Sequence, residues 1–210
     1  MVRTDDGSVL WNQAQESWFL EVNHAARATP WLHAPLRLYA EYGVLLFAGL
    51  LLVSWWSARR DGDLGRVAAS LWAPIGVLLA VWVNQLIASA VAEPRPFAVL
   101  PHVLVLVSRS TDYSFPSDHA VMAGAVTVGI LLVDRALGIL TLALAVAMAC
   151  TRVYVGAHFP LDVIAGLLIG AAIAWASYVL VGRPVRHLVV LLARTRVRPL
   201  LTSAPAGAVR

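Results

Sequence analysis

The chain has 210 residues, 60% of them hydrophobic and only 13% charged, with a net charge of +4 and a mean hydropathy of +0.74. Soluble domains carry about 25% charged residues, so this composition excludes an ordinary soluble domain and points to an integral membrane protein. All 16 basic residues are arginine, and so small a net charge gives no nucleic-acid signal; in a membrane protein the informative feature is where the arginines sit.

The N-terminal stretch MVRTDDGSVLWNQ has acids where a signal peptide needs an apolar core, so no cleaved signal is expected. Residues 10–26 place Trp11, Trp18, Phe19 and Val22 near helical spacing, with Gln, Glu and Asn between them. That pattern predicts an amphipathic helix lying at the membrane interface. A helix needs about 20 residues to cross the hydrocarbon, and five segments qualify or nearly do: 36–56, 67–92, 117–133, 136–151 and 161–181. The third and fourth are short, so their ends are expected within the bilayer thickness, beside protein rather than lipid. Residues 185–201 alternate Leu/Val with Arg and read as a second interfacial helix; from Thr202 the Pro/Ala-rich tail reads as loose. The predicted fold class is therefore all-α, a polytopic membrane helical bundle of five transmembrane helices plus an N-terminal interfacial amphipathic helix. Its divisions are an interfacial segment (1–35), the membrane-embedded bundle (36–183) and a C-terminal interfacial helix with its tail (184–210).

Five crossings put the termini on opposite sides. One side receives Arg59, Arg60, Arg66, Arg135 and the arginines from Arg183 to Arg210; the other receives Arg3, Arg27, Arg37, Arg95, Arg109 and Arg152. Ten against six makes the first side cytoplasmic, so the C-terminus is predicted inside. Trp55 and Trp56, at the inner end of the first span, read as interface anchors. Cys150 reads as a small buried core residue. Gly166 and Gly170 in the fifth span read as close packing within the bundle rather than a dimer face.

Alternating helix direction then gathers four polar stretches on the outer face: EPRPF (93–97), PSDH (116–119), TRVYVGAH (151–158) and PLD (160–162). Polar groups at one membrane depth need partners or a purpose. Ser117 suits an N-cap, which leaves the first N–H groups of the third span pointing outward, and a helix N-terminus favours phosphate. Arg95 and Arg152 supply planar cations matched to phosphate oxygens. His119 and His158 complete the set, and Asp162, four residues after His158, is placed to accept a hydrogen bond from its ring. A histidine held on one nitrogen by a carboxylate presents the other as base or nucleophile. Singly, these residues also have plain structural readings. Arg95 with Glu93 makes an interfacial ion pair, His119 caps a helix, and His158 with Asp162 ties a loop to a helix. Glu41, four residues after Arg37, reads either as a self-satisfied helical pair or as part of the outer site.

The chain resembles the type 2 phosphatidic acid phosphatase superfamily, whose motifs are Lys-x6-Arg-Pro, Pro-Ser-Gly-His and Ser-Arg-x5-His-x3-Asp. Here the first survives as Arg95-Pro96, with Ala88 at the lysine position. The second is Pro116-Ser117-Asp118-His119, with Asp for Gly, and the third is Thr151-Arg152, His158 and Asp162, with Thr for Ser. The resemblance implies a helical bundle in which His158 is the nucleophile, Asp162 orients it and His119 is the general acid. Arg95, Arg152 and Ser117 would hold the phosphoryl oxygens, with Asp118 counted in the same phosphate-binding set. Asp118 would sit beside them, favouring the first helical turn or pairing with an arginine; Asn84 or Gln85 would compensate for the lysine. Pro-Ser-Asp-His and the small size are similar to the bacitracin-resistance type of undecaprenyl-diphosphate phosphatase. The implied activity is hydrolysis of a polyprenyl diphosphate to the monophosphate, at the outer face of a bacterial-type inner membrane, without cofactor or metal. The implied partners are the lipid phosphate substrate and membrane lipids. Phosphatidic acid or phosphatidylglycerophosphate as substrate, and a non-catalytic lipid-binding or transport protein that has kept the motifs, are the alternatives. Oligomeric state is left open.

Overall fold

The computed structural model describes residues 8–203, with side chains from residue 13 onward. The acid-rich first residues 1–7 and the tail beyond residue 203 lie outside it, and so do the expectations that fall on them. The described chain is helical: α1 (Ser8–Ala28), α2 (His33–Asp61), α3 (Leu64–Val91), a short α4 (Pro96–Val99), α5 (Asp118–Leu131), α6 (Arg135–Tyr154), α7 (Pro160–Leu192) and a short α8 (Arg198–Leu201). Four helical stretches are long and apolar enough to cross a membrane, Pro30–Asp61, Leu64–Val99, Arg135–Tyr154 and Pro160–Leu192, while α5 is apolar but shorter.

The shortness of α5 follows from its place. It is the axis of the bundle, packed against α7, α3 and α6 and more lightly against α2. Every residue from Ala120 to Thr127 is buried. A helix apolar on all faces belongs inside a protein, and runs of Ala, Gly and Val let its neighbours approach closely. Val121, Val126 and Ile130 pack with Phe47 of α2, Ala80 of α3, Met148 of α6 and Ala174 of α7. The outward faces keep their large apolar side chains exposed, among them Leu45, Leu78, Trp82, Leu168 and Leu180, as lipid-facing surfaces do.

At one end of the bundle the turns are closed by short polar devices. Gly62 ends α2 in the left-handed conformation at φ 73°, and Asp63 caps α3 by accepting from the Gly65 and Arg66 N–H groups. Asp134 caps α6 through the Leu137 N–H at 2.8 Å. Arg66 ties the two turns together, pairing with Asp61 and Asp134 and donating to the Val133 carbonyl. Arg59 stacks over Trp56, 5.0 Å from its ring centroid.

Three elements differ from expectation. The anticipated break between the fifth span and a C-terminal interfacial helix is absent: α7 continues through Pro184 to Leu192. Packing overrides the proline there, because Val189 is buried against Leu64, Val67 and Ala68 of α3. Cys150 is exposed, on the outward side of α6 rather than in the core. Helix α1 docks on the protein as well as carrying apolar surface. Asn23 bonds Leu104 in both directions, at 2.8 and 3.0 Å, Gln15 donates to Glu93, and the rings of Phe19 and Phe159 meet edge to face. The long connection between α4 and α5 is thereby strapped between α1 and the α6–α7 turn, where the Leu106 N–H reaches the Val155 carbonyl. Gly156 allows that approach: its φ is +79°, and a Cβ there would lie 2.3 Å from the Leu104 carbonyl oxygen.

Candidate active site

Beneath that strap lies a cavity of about 280 Å³, whose lining includes Arg95, Asp118, His119, Arg152 and His158. These five come from the segment after α3, the first turn of α5, the last turn of α6 and the α6–α7 turn, and α2 and the strap itself complete the lining. Ser117 and Asp162 do not line it and stand behind it. Ser117 holds the N-cap position of α5 in an extended conformation, but its side chain makes no capping bond, and its buried hydroxyl oxygen has no partner among the described residues. Its N–H instead donates to the Asp162 carbonyl at 3.1 Å, which joins the start of α5 to the start of α7.

His158 is 2% exposed. Its Nδ1 lies 2.8 Å from the Ser114 carbonyl oxygen and 3.6 Å from Asp162 Oδ2. The expected direct His158–Asp162 hydrogen bond is thus replaced by a relay. Asp162 Oδ2 accepts from the Ser114 hydroxyl at 2.5 Å and from the Phe159 N–H at 2.8 Å. The reason is local: Pro160 opens α7 and turns Asp162 back to cap the N-terminus at Phe159. With Nδ1–H donated to a carbonyl, Nε2 keeps its lone pair and faces Arg95 Nη1 at 3.2 Å. His158 lies in the turn between two spans. Burial first, then the Arg152 and Arg95 guanidiniums, hold its ring well below the usual imidazole range despite the Ser114 carbonyl, so the neutral form prevails.

Arg95 is buried, and its fork is occupied. Nε and Nη2 reach Asp112 Oδ1 at 3.1 and 2.9 Å, and Nη1 donates to the Ala157 carbonyl at 2.9 Å. The plain structural alternative, a pair with Glu93, does not form: Arg95 pairs with Asp112 and Glu93 accepts from Gln15. Burial would raise the Asp112 carboxyl, but hydrogen bonding from Ser110 and the charge of Arg95 outweigh it and hold it below the usual value. Asp112 therefore stays ionised at neutral pH. Arg152 is also buried, and its Nε has no partner among the described residues, which leaves a donor for an incoming anion. Asp118 pairs with no arginine among the described residues; its Oδ1 accepts from Asn84 and Gln85. Glu41 combines both of its readings, bonding Arg37 at 3.0 Å and lining the cavity.

Two participants carried no signal in sequence. Ser114 was visible only as the residue before Phe115-Pro116, and Asp112 only as one acid in a polar loop. Nothing in spacing joins either to Arg95 or His158; the fold of the strap does.

Cations withdrawn from water at one end of a lipid-embedded bundle suit a multiply charged group borne on a lipid, and the class so defined is that of membrane lipid phosphatases. The PAP2 superfamily profile matches residues 69–186, more than half of the chain, and the protein belongs to that superfamily of phosphatases. It is 33% identical to the bacitracin transport permease protein BcrC of Bacillus licheniformis over 152 residues, covering 72% of this chain and 73% of that one. It is 40% identical to an undecaprenyl-diphosphatase of Sulfolobus acidocaldarius over 105 residues, 49% of this chain and 50% of that one. The fold is similar to that of a solved PAP2-type phosphatidylglycerolphosphate phosphatase from Bacillus subtilis, with a TM-score of 0.61 at 20% identity, covering 91% of each chain.

Proposed function

We propose that the protein hydrolyses a polyprenyl diphosphate of the undecaprenyl type to the monophosphate, through a phosphohistidine intermediate. The observation that carries this reading is the single cavity lined by Arg95, Arg152, His119 and His158. The choice of lipid is supported by relatives named undecaprenyl-diphosphatase in Sulfolobus acidocaldarius and Bacillus subtilis. In the proposed reaction, His158 Nε2 attacks the terminal phosphorus as the bond to the bridging oxygen breaks. His119 delivers a proton to that leaving oxygen. Water then attacks the phosphohistidine, His119 takes its proton, and inorganic phosphate leaves. Arg95 and Arg152 hold the phosphoryl oxygens, and Asp112 yields its place on Arg95 to them. The Ser114–Asp162 relay holds the His158 ring and stabilises its positive charge. Such transfer rests on positioning and charge stabilisation. Ser117 supports the turn that presents the α5 N–H groups, and Asp118 borders the phosphate rather than binding it.

In this reading α5 also crosses the membrane, as the third of five crossings, α1 rides at the interface, and the arginine-rich end with the C-terminus is cytoplasmic. The site then faces outward from a bacterial-type inner membrane. Phosphate release from undecaprenyl diphosphate, phosphatidic acid and phosphatidylglycerophosphate by the purified protein, with and without chelator, tests substrate and metal need together. Preference for the prenyl diphosphate, unchanged by chelator, is expected; a strong preference for diacyl phosphates overturns the choice of lipid.

The pH profile of kcat is expected to be bell-shaped, because in the substrate complex, where the phosphoryl charge favours a protonated imidazole, protonated His119 must coexist with neutral His158. A depressed nucleophile stays neutral as pH falls through the usual imidazole value of about 6.5. The acid limb is therefore expected below that value, with the alkaline limb reporting the proton of His119. Rates at saturating and limiting substrate across pH check this, and a profile without limbs removes both roles.

A further inference from the structure

Two of the three departures from the family motifs, Ala88 for lysine on α3 and Asp118 for glycine on α5, lie on neighbouring helices, and between those helices the structure has a polar contact. Asn84 is fully buried in α3. Its Nδ2 donates to the Pro116 carbonyl at 3.1 Å and to Asp118 Oδ1 at 2.7 Å. Gln85 Nε2 donates to the same Oδ1 at 2.8 Å. One carboxylate oxygen thus gathers two amides from successive residues of α3. The orientation of Asn84 is set by these partners: flipping the amide would turn its oxygen against a carbonyl and a carboxylate, both acceptors. Ala88 lies one helical turn further along α3 on the side of Asn84, and Arg95 follows the end of that helix. On the α5 side, Asp118 precedes His119 directly and follows Ser117.

We propose that Asn84, Gln85 and Asp118 form a clasp that fixes the first turn of α5 against α3 and so positions His119 relative to Arg95. The inference rests on the phosphatase reading of the site. Asp118 is then a positioning residue whose hydrogen-bond acceptor matters more than its charge. This differs from a simple helix effect, in which a first-turn carboxylate acts through its charge on the helix dipole. Asparagine keeps an oxygen able to accept from both amides but removes the charge, so the two accounts part at Asp118→Asn.

The experiment measures kcat and KM for undecaprenyl diphosphate in detergent, beside His158→Ala as control. Asp118→Ala is expected to lower kcat about tenfold with KM within about twofold, because a displaced general acid costs rate rather than binding. Asp118→Asn is expected to stay within about threefold of the parent, and Gln85→Ala, at an exposed side chain, to lose about threefold in kcat. Asn84→Ala is expected to match Asp118→Ala, and the double variant to fall no further, since one clasp is lost only once. An additive double variant, an Asp118→Asn as slow as Asp118→Ala, or a rise in KM alone overturns the clasp. Should Asn84→Ala not fold, the Asp118 and Gln85 variants still decide. If His158→Ala is inactive while Asp118→Ala turns over normally, the clasp alone is lost; if His158→Ala is active, the phosphatase reading of this site is lost.

Discussion

Replacing His158 by alanine is expected to abolish phosphate release, by at least about 10³-fold in kcat, the scale on which nucleophile removal acts in other covalent enzymes. That corresponds to about 4 kcal/mol of transition-state stabilisation. The expectation rests on geometry peculiar to this ring. Nδ1 is committed to the Ser114 carbonyl, so Nε2 is the nitrogen left to attack, and it points at the guanidinium of Arg95. No second imidazole can take over from the same position, since His119 approaches from α5. His158→Gln keeps a polar side chain in the buried space and is expected to be as inactive as the alanine variant, which separates lost chemistry from lost folding. Phosphate release and acid-labile labelling of the protein by substrate check both variants. One relative bears the name of a transport permease, and a transport or lipid-binding role predicts the opposite result: His158→Ala would bind lipid and support function as the parent does.

The candidate site was legible in the sequence to the extent that its residue types stand at fixed spacing about the helix ends. Arg152 and His158 sit at the close of α6 and just beyond it, and His119 in the first turn of α5, so alternating direction alone carries them to one end of the bundle. The electrostatic partners were not legible. Arg95 finds Asp112 rather than the nearer Glu93 because the strap between α4 and α5 folds back over the cavity, a path set by Asn23, Gly156 and Val155. No local pattern encodes that path. The same holds for Asp162. Its position four residues after His158 suggests a direct bond, yet its oxygen serves the Phe159 N–H and the Ser114 hydroxyl. Helix existence was read from apolar runs, whereas the length of α7 was not, because the buried contacts of Val189 outweigh the proline that marks a break in sequence.

Substitution of Gly170 by valine is expected to prevent recovery of folded protein. The glycine lies where α7 crosses α5, and a Cβ there would stand 1.9 Å from the Val121 carbonyl oxygen and 2.7 Å from its carbonyl carbon. Both are backbone atoms of the central helix, so no rotamer change relieves the clash and the helices must separate. Overpacking commonly costs about 1–3 kcal/mol and more where the backbone must move. Small residues are what permit such approach between membrane helices. Gly49 of α2 is the matched control, because a Cβ there meets nothing within 4 Å; Gly49→Ala is expected to be neutral or to stabilise by up to about 1 kcal/mol through helix propensity. Size-exclusion profiles and thermal unfolding in detergent distinguish the two. Gly166, one turn earlier in α7, joins this packing to the chemistry. A Cβ at Gly166 would lie 2.9 Å from the Ser117 carbonyl oxygen and 2.8 Å from the Ala120 methyl, which flank Asp118 and His119 at the start of α5. Gly166→Ala is therefore expected to displace the turn that presents His119 and to lower kcat in whatever fraction of the protein still folds, a loss that Gly49→Ala does not produce.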